Sequence, residues 1–263
     1  MDNEKLMKAR AESLDGVSPR AKGRRKELTA LRWVYRWDWT TPQVLDVVCH
    51  HLRGGMAKKL IAKGYLREEK TGTGGAKGRP ASIVALTQLG RAVIEAEMES
   101  EDEMRDDYHG FRRVRWKQIE HDVLVQRTVA RVLDAGNVVA YRTPQEIAER
   151  SEPGIKEPDT VLTYRSGKTL ALELELTAKS SRKMDEFVCG VVQMLDNKTT
   201  PYYDFALIQL TSQAAMRRYK DRLKAGASMP IWQRDQRGRP YKSHTAKVPA
   251  WIDRRIIFEK VEL

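Results

Sequence analysis

The run KTLALELELT, residues 168–177, alternates with a period of two. Leu170, Leu172, Leu174 and Leu176 therefore share one face of a strand, while Ala171, Glu173, Glu175 and Thr177 share the other. The leucine face is core. Neighbouring glutamates on the opposite face lie about 7 Å apart, and two ionised carboxylates at that spacing repel by roughly 2 kcal/mol at an effective dielectric near 20. Desolvation adds to that cost, so a partly enclosed face of this kind needs a cation. Two sources stand open: a divalent ion such as Mg²⁺ or Mn²⁺ held by hard oxygen ligands from several strands, or a cross-strand lysine or arginine on a sheet open to water.

The neighbouring elements follow from pattern. RWKQIEHDVLVQRTVARVLDAG reads as a long amphipathic helix closed by Gly136, and NVVAYRT and DTVLTYRSG read as two strands. SSRKMDEFVCGVVQMLDNK is a second helix, DFALIQL a fully apolar strand, and residues 212–225 a basic helix. Helix, three strands, helix, strand predicts a compact α/β core over residues 112–225. Asp159 begins its second strand, and Glu120 lies near the start of its first helix. Beyond it, residues 226–263 interleave Trp232, Tyr241 and Trp251 with basic residues, which suits either stacking on nucleic acid or a loop pinned to the core. The final RRIIFEKVEL is strand-like and suited to a sheet edge or to a second copy.

The first ninety residues have another character. Glu27–Trp37 fits a helix, Thr41-Pro42 caps a second, and MAKKLIAKG forms a third that ends on Gly64. Two strand-like runs joined by a glycine-rich basic tip follow, so residues 25–94 predict a winged helix-turn-helix domain. Lys58, Lys59 and Lys63 on the third helix would face a major groove, with Lys77 and Arg79 on the wing against the adjacent backbone. Residues 1–24 read as a flexible basic arm, and the acidic stretch 95–111 as a linker helix.

Charge agrees with this layout. The net is +12, with +10 in residues 1–94, −7 in 95–107 and +8 in 211–263. A localised excess of this kind favours a polyanionic partner. The two cysteines, Cys49 and Cys189, form no metal knuckle or redox pair, and there is no long uncharged apolar run. The expectation is a cytoplasmic protein that does not engage the membrane. No serine or cysteine nucleophile with a paired histidine is visible; His121 beside Glu120 reads as a helix-surface residue, and Tyr202 and Tyr203 as packing residues.

The order of the C-terminal elements resembles the PD-(D/E)xK nuclease superfamily, with Pro158-Asp159 at PD and Glu173-Leu174-Glu175 at (D/E)xK. Glu175 stands where that pattern has lysine, and Lys179 and Lys183 follow just after the strand. Taken with the winged helix, ELELTAKSSRKM is similar to the replication-relaxation and MOBC-class mobilisation proteins of plasmids and other mobile elements. The resemblance implies an α+β protein, a winged helix followed by a restriction-endonuclease-like core, that binds double-stranded DNA at an origin. In some members it implies metal-dependent nicking. Asp159 and Glu173 would then share Mg²⁺ or Mn²⁺, with Glu175 or Glu120 completing the shell and Lys179 stabilising developing charge. A non-cutting regulator and a homodimeric restriction-type enzyme are the alternatives, and other mobilisation or replication proteins are candidate partners.

Overall fold

The computed structural model describes residues 18–51, 53–73, 75–76, 78–99, 104–151, 155–196, 198 and 202–262. The chain forms two compact units, Met1–Gln126 and Arg127–Leu263.

In the first unit, α1 (Pro19–Trp37) begins at Ser18, whose hydroxyl accepts the Ala21 N–H at 3.2 Å, with proline in the first turn. The helix therefore starts eight residues before the expected Glu27. The Ser-Pro cap and the helix-favouring lysines and arginines of RAKGRRK account for the extension. Of the expected basic arm, residues 19–24 are helix, and 1–17 lie outside the described residues. Next come α2 (Pro42–Val48), capped by the Thr41 hydroxyl on the Val44 N–H, and α3 (Met56–Ala62). The antiparallel hairpin β1 (Leu66–Lys70) and β2 (Ser82–Leu86) follows, with Thr40 bridged to Val84 on the other side of β2. Finally α4 (Gln88–Glu95) starts at Thr87.

The acidic stretch differs from expectation. The described residues after α4 run as turns, with short 3-10 turns at Gly110–Arg113 and Trp116–Gln118, rather than as a linker helix. The reason is Asp38, fully buried at the end of α1 with φ +67°. Its carboxylate accepts the N–H groups of His109 at 2.8 Å and Gly110 at 3.3 Å, and it pairs with Arg105 at 3.4 Å and Arg113 at 3.6 Å. Those two N–H groups are directed at a side chain instead of at a preceding helical turn.

Helix α5 (Ile119–Asp134) also differs in allegiance, because the boundary between the units falls within it and not near residue 112. Ile119 and Val123 pack with Trp39, Ile83, Ala85 and Val114. The buried Gln126 amide accepts from Thr40 at 2.6 Å and Trp33 at 3.3 Å and donates to the Trp39 carbonyl at 3.1 Å.

The second unit carries a five-stranded mixed sheet in the order β3-β4-β5-β6-β9. Its strands are β3 (Val138–Arg142), β4 (Thr160–Tyr164), β5 (Thr169–Glu175), β6 (Phe205–Leu210) and β9 (Ile256–Lys260). The first three pair antiparallel, and β5-β6 and β6-β9 pair parallel. Short α6 (Pro144–Ala148) follows β3 behind a Thr143/Glu146 capping box. The helices α7 (Ser181–Leu195) and α8 (Gln213–Leu223) pack Met184, Phe187, Val191, Met216 and Tyr219 in one cluster with Val161, Ala171 and Ile208 of the sheet. Residues 226–263 are integral to this unit: they supply a hairpin, β7 (Ser228–Arg234) and β8 (Pro240–Lys247), and the edge strand β9, while Met229, Val248 and Ile252 enter the core. No described helix is long and apolar enough to cross a membrane.

Gly90 gives a direct test of the first unit, since a Cβ there would lie 2.0 Å from the Tyr65 carbonyl oxygen. Gly90→Ala is expected to lower stability by about 3 kcal/mol, because backbone must move. A denaturant titration followed by tryptophan fluorescence, reporting on the buried Trp33, Trp37 and Trp39, checks it; an unchanged midpoint contradicts the packing described.

Candidate functional site

Both faces of β5 are buried, so the glutamates sit in an enclosed layer and not on an open sheet. Glu173 is 2% exposed and Glu175 9%. Asp159 reaches them from just before the start of β4. Its N–H donates to the Leu172 carbonyl at 3.0 Å, and its carboxylate accepts the Leu174 N–H at 2.8 Å, extending the ladder by one side chain. Asp159, Glu173 and Glu175 are therefore brought together, as the sequence pattern predicts.

The cations that offset them are lysines. Lys156 places its ammonium 2.8 Å from Glu173 Oε2, and Lys179 pairs with Glu175. The two ammonium groups flank one ring, 5.3 and 5.2 Å from the centroid of Phe187. Sequence reasoning singled out Lys179 and Lys183 and missed Lys156, whose position three residues before Asp159 carries no local signature. Its path depends on Gly190 of α7: a Cβ there would come within 2.8 Å of the Lys156 side chain. A groove of about 460 Å³ opens beside the site, lined by Lys156, Lys179, Lys183, Glu186, Phe187 and Gln193.

Burial pushes the Glu173 carboxyl up to about 7; Lys156 opposes the shift, and the charges of Asp159 and Glu175 reinforce it. Burial acts to lower the Lys156 pKa, but Glu173 first, then Asp159 and Glu175, hold it above the ordinary lysine range. The second oxygen of Glu173, Oε1, is buried without a hydrogen-bond partner. Burial also raises the pKa of the Tyr219 phenol beside Glu175.

In this arrangement most of the oxygens a divalent ion would use are paired with cationic side chains. Mg²⁺ takes about six oxygen ligands in near-octahedral geometry. Glu175 is engaged by Lys179, one oxygen of Glu173 by Lys156, and Glu120 by Arg79 in the first unit. Among the described residues no three His, Cys, Asp or Glu side chains converge closely enough to hold a metal ion.

The basic residues expected on nucleic acid divide in the same way. Lys59 and Lys63 pair at 2.9 and 2.7 Å with Glu27, which is 3% exposed. Burial acts to raise the Glu27 pKa, but the two ammonium groups hold it below the usual range. These lysines thus stabilise α1 against α3. Lys58 is exposed and has no ion-pair partner among the described residues. Arg79 is exposed and paired with Glu120, and Lys77 lies outside the described residues.

Two outcomes follow from Glu173. Its folded pKa exceeds the unfolded value of about 4.3, so the folded state binds the extra proton between the two, and stability falls as pH rises through that window. Across pH 5 to 8 the wild type should lose about 3 kcal/mol relative to Glu173→Gln, read from thermal unfolding; parallel curves contradict it. Gly190→Ala displaces Lys156 and leaves Glu173 uncompensated, so its destabilisation should be larger at pH 8 than at pH 5.

No protein-family model, curated protein or solved structure matches this chain.

Proposed function

We propose that this chain is a DNA-binding protein of a mobile element that recognises an origin through an N-terminal winged helix and carries a PD-(D/E)xK-like unit whose carboxylates are neutralised by lysines. The order α1, bridged Thr40, α2, α3, β1 and β2 supports the winged helix, with Lys58 turned to solvent on α3. In the second unit, three antiparallel strands followed by a helix and a parallel strand support the nuclease-like core. The observation that carries the non-cutting form is Lys156, whose ammonium lies 2.8 Å from Glu173 Oε2. In this reading the second unit is a scaffold, and origin recognition is the activity.

The orphaned Oε1 of Glu173 favours a second reading, in which the same chain nicks its origin. Incubating the protein with supercoiled plasmid bearing its own genetic neighbourhood, in Mg²⁺, Mn²⁺ or EDTA, separates the two. Bound, uncut plasmid in every condition is the expected result. Open circles that need metal and vanish in the Asp159→Ala, Glu173→Ala double variant establish the nickase, and linear product points to a restriction-type enzyme. Lys58→Ala should lower the slope of log affinity against log salt by about 0.9, one phosphate contact. A chain that leaves the plasmid unbound at low salt overturns both readings.

A further inference from the structure

The hairpin β7–β8 is a built arm. Ten consecutive residues, Gln233 to Lys242, are exposed. Across 228–247 the chain carries Arg234, Arg237, Arg239, Lys242 and Lys247 against one acidic residue, Asp235.

That acidic residue is directed inward on the turn. Its carboxylate accepts the N–H groups of Arg237 and Arg239, each at 2.8 Å, while its own N–H donates to the Arg239 carbonyl at 3.0 Å. Gly238, at φ +73°, donates back to the Asp235 carbonyl at 2.9 Å, and Arg234 braces the same loop through the Gly238 carbonyl at 2.9 Å. The tip thus holds its arginines on a defined turn.

The root is equally fixed. The Trp232 indole donates to Asp185 of α7 at 3.0 Å, and Arg222 pairs with the same carboxylate. Met229 and Val248 enter the core, and Val248 continues the pairing with Ala227 at 2.9 Å. A two-stranded ribbon is marginal by itself in water, so this anchoring is what keeps the arm extended. Its outer half offers Tyr241 as the one large apolar surface, too little for an apolar protein interface or for insertion into lipid. A cationic two-stranded ribbon matches the major groove of duplex DNA in width and charge.

We propose that β7–β8 is a second DNA-contacting element, in which Arg237, Arg239 and Lys242 neutralise backbone phosphates of duplex DNA; this rests on the reading of the chain as a DNA-binding protein. The test uses the full chain with two fluorescent duplexes, one from its own genetic neighbourhood and one of random sequence, across a salt series. Single-stranded RNA and phosphatidylserine vesicles are probed in parallel. The triple variant Arg237→Ser, Arg239→Ser, Lys242→Ser keeps the backbone hydrogen bonds of the Asp235 turn and gives up the exposed Arg239–Asp235 ion pair at 3.6 Å. It is expected to lower the slope of log affinity against log salt by about 2 to 3 on both duplexes, and lysine at the two arginine positions should restore it. An unchanged slope beside normal wild-type binding overturns this inference alone. Loss confined to RNA or to vesicles also overturns it, in favour of that partner. A wild-type chain that binds neither duplex overturns the functional reading with it.

Discussion

The enclosure of Glu173 is the constraint around which the second unit is arranged. A carboxylate in the middle of a central strand, buried between sheet and helices, costs several kcal/mol unless a cation or a proton meets it. Both answers operate here: Lys156 supplies one charge at 2.8 Å, and burial lifts the pKa to about 7 so that protonation is close at hand near neutrality. Gly190 on α7 is the condition for the first, because only a residue without Cβ lets the lysine lie across the helix. Asp159 then serves the backbone as well as the cluster, completing the ladder at Leu174, beyond the start of β4.

The first unit solves a parallel problem with Asp38. A fully buried carboxylate in a left-handed conformation is costly, and it persists because two N–H groups and two guanidinium groups converge on it. The same device turns an acidic segment, which local composition reads as a solvated linker, into part of the domain. Arg105, the one basic residue in that segment, is drawn in to meet Asp38 and Asp107. Glu27 follows the same rule at the contact of α1 with α3, which is why two of the three lysines on the prospective DNA face also have a structural role.

Much of the framework was legible because it rests on local chemistry. Thr41-Pro42 and Thr87 cap helices where the sequence says they should, Gly136 takes the positive φ that ends α5, and the apolar run at 205–210 is a buried strand. The carboxylate trio was legible too, since a period-two strand places Glu173 and Glu175 on one side and Asp159 opens its neighbour. The hairpin β7–β8 was not, because residues 228–247 carry no sustained alternation, and their pairing is set by the Asp235 turn and the anchor at Trp232.

What the sequence determined by itself is the set of periodicities and caps, and with them the demand for positive charge beside β5. Which groups answer that demand was decided by tertiary structure: Lys156, from before β4, joins the Lys179 that follows the strand. Tertiary structure likewise set Arg79 on Glu120 in the first unit and β9 as the parallel edge next to β6. Capping and alternation are energies between residues a few positions apart and can be read locally. Ion pairing and strand addition join residues far apart in the chain, and are settled only once the fold has set the distance and the desolvation that give them their strength.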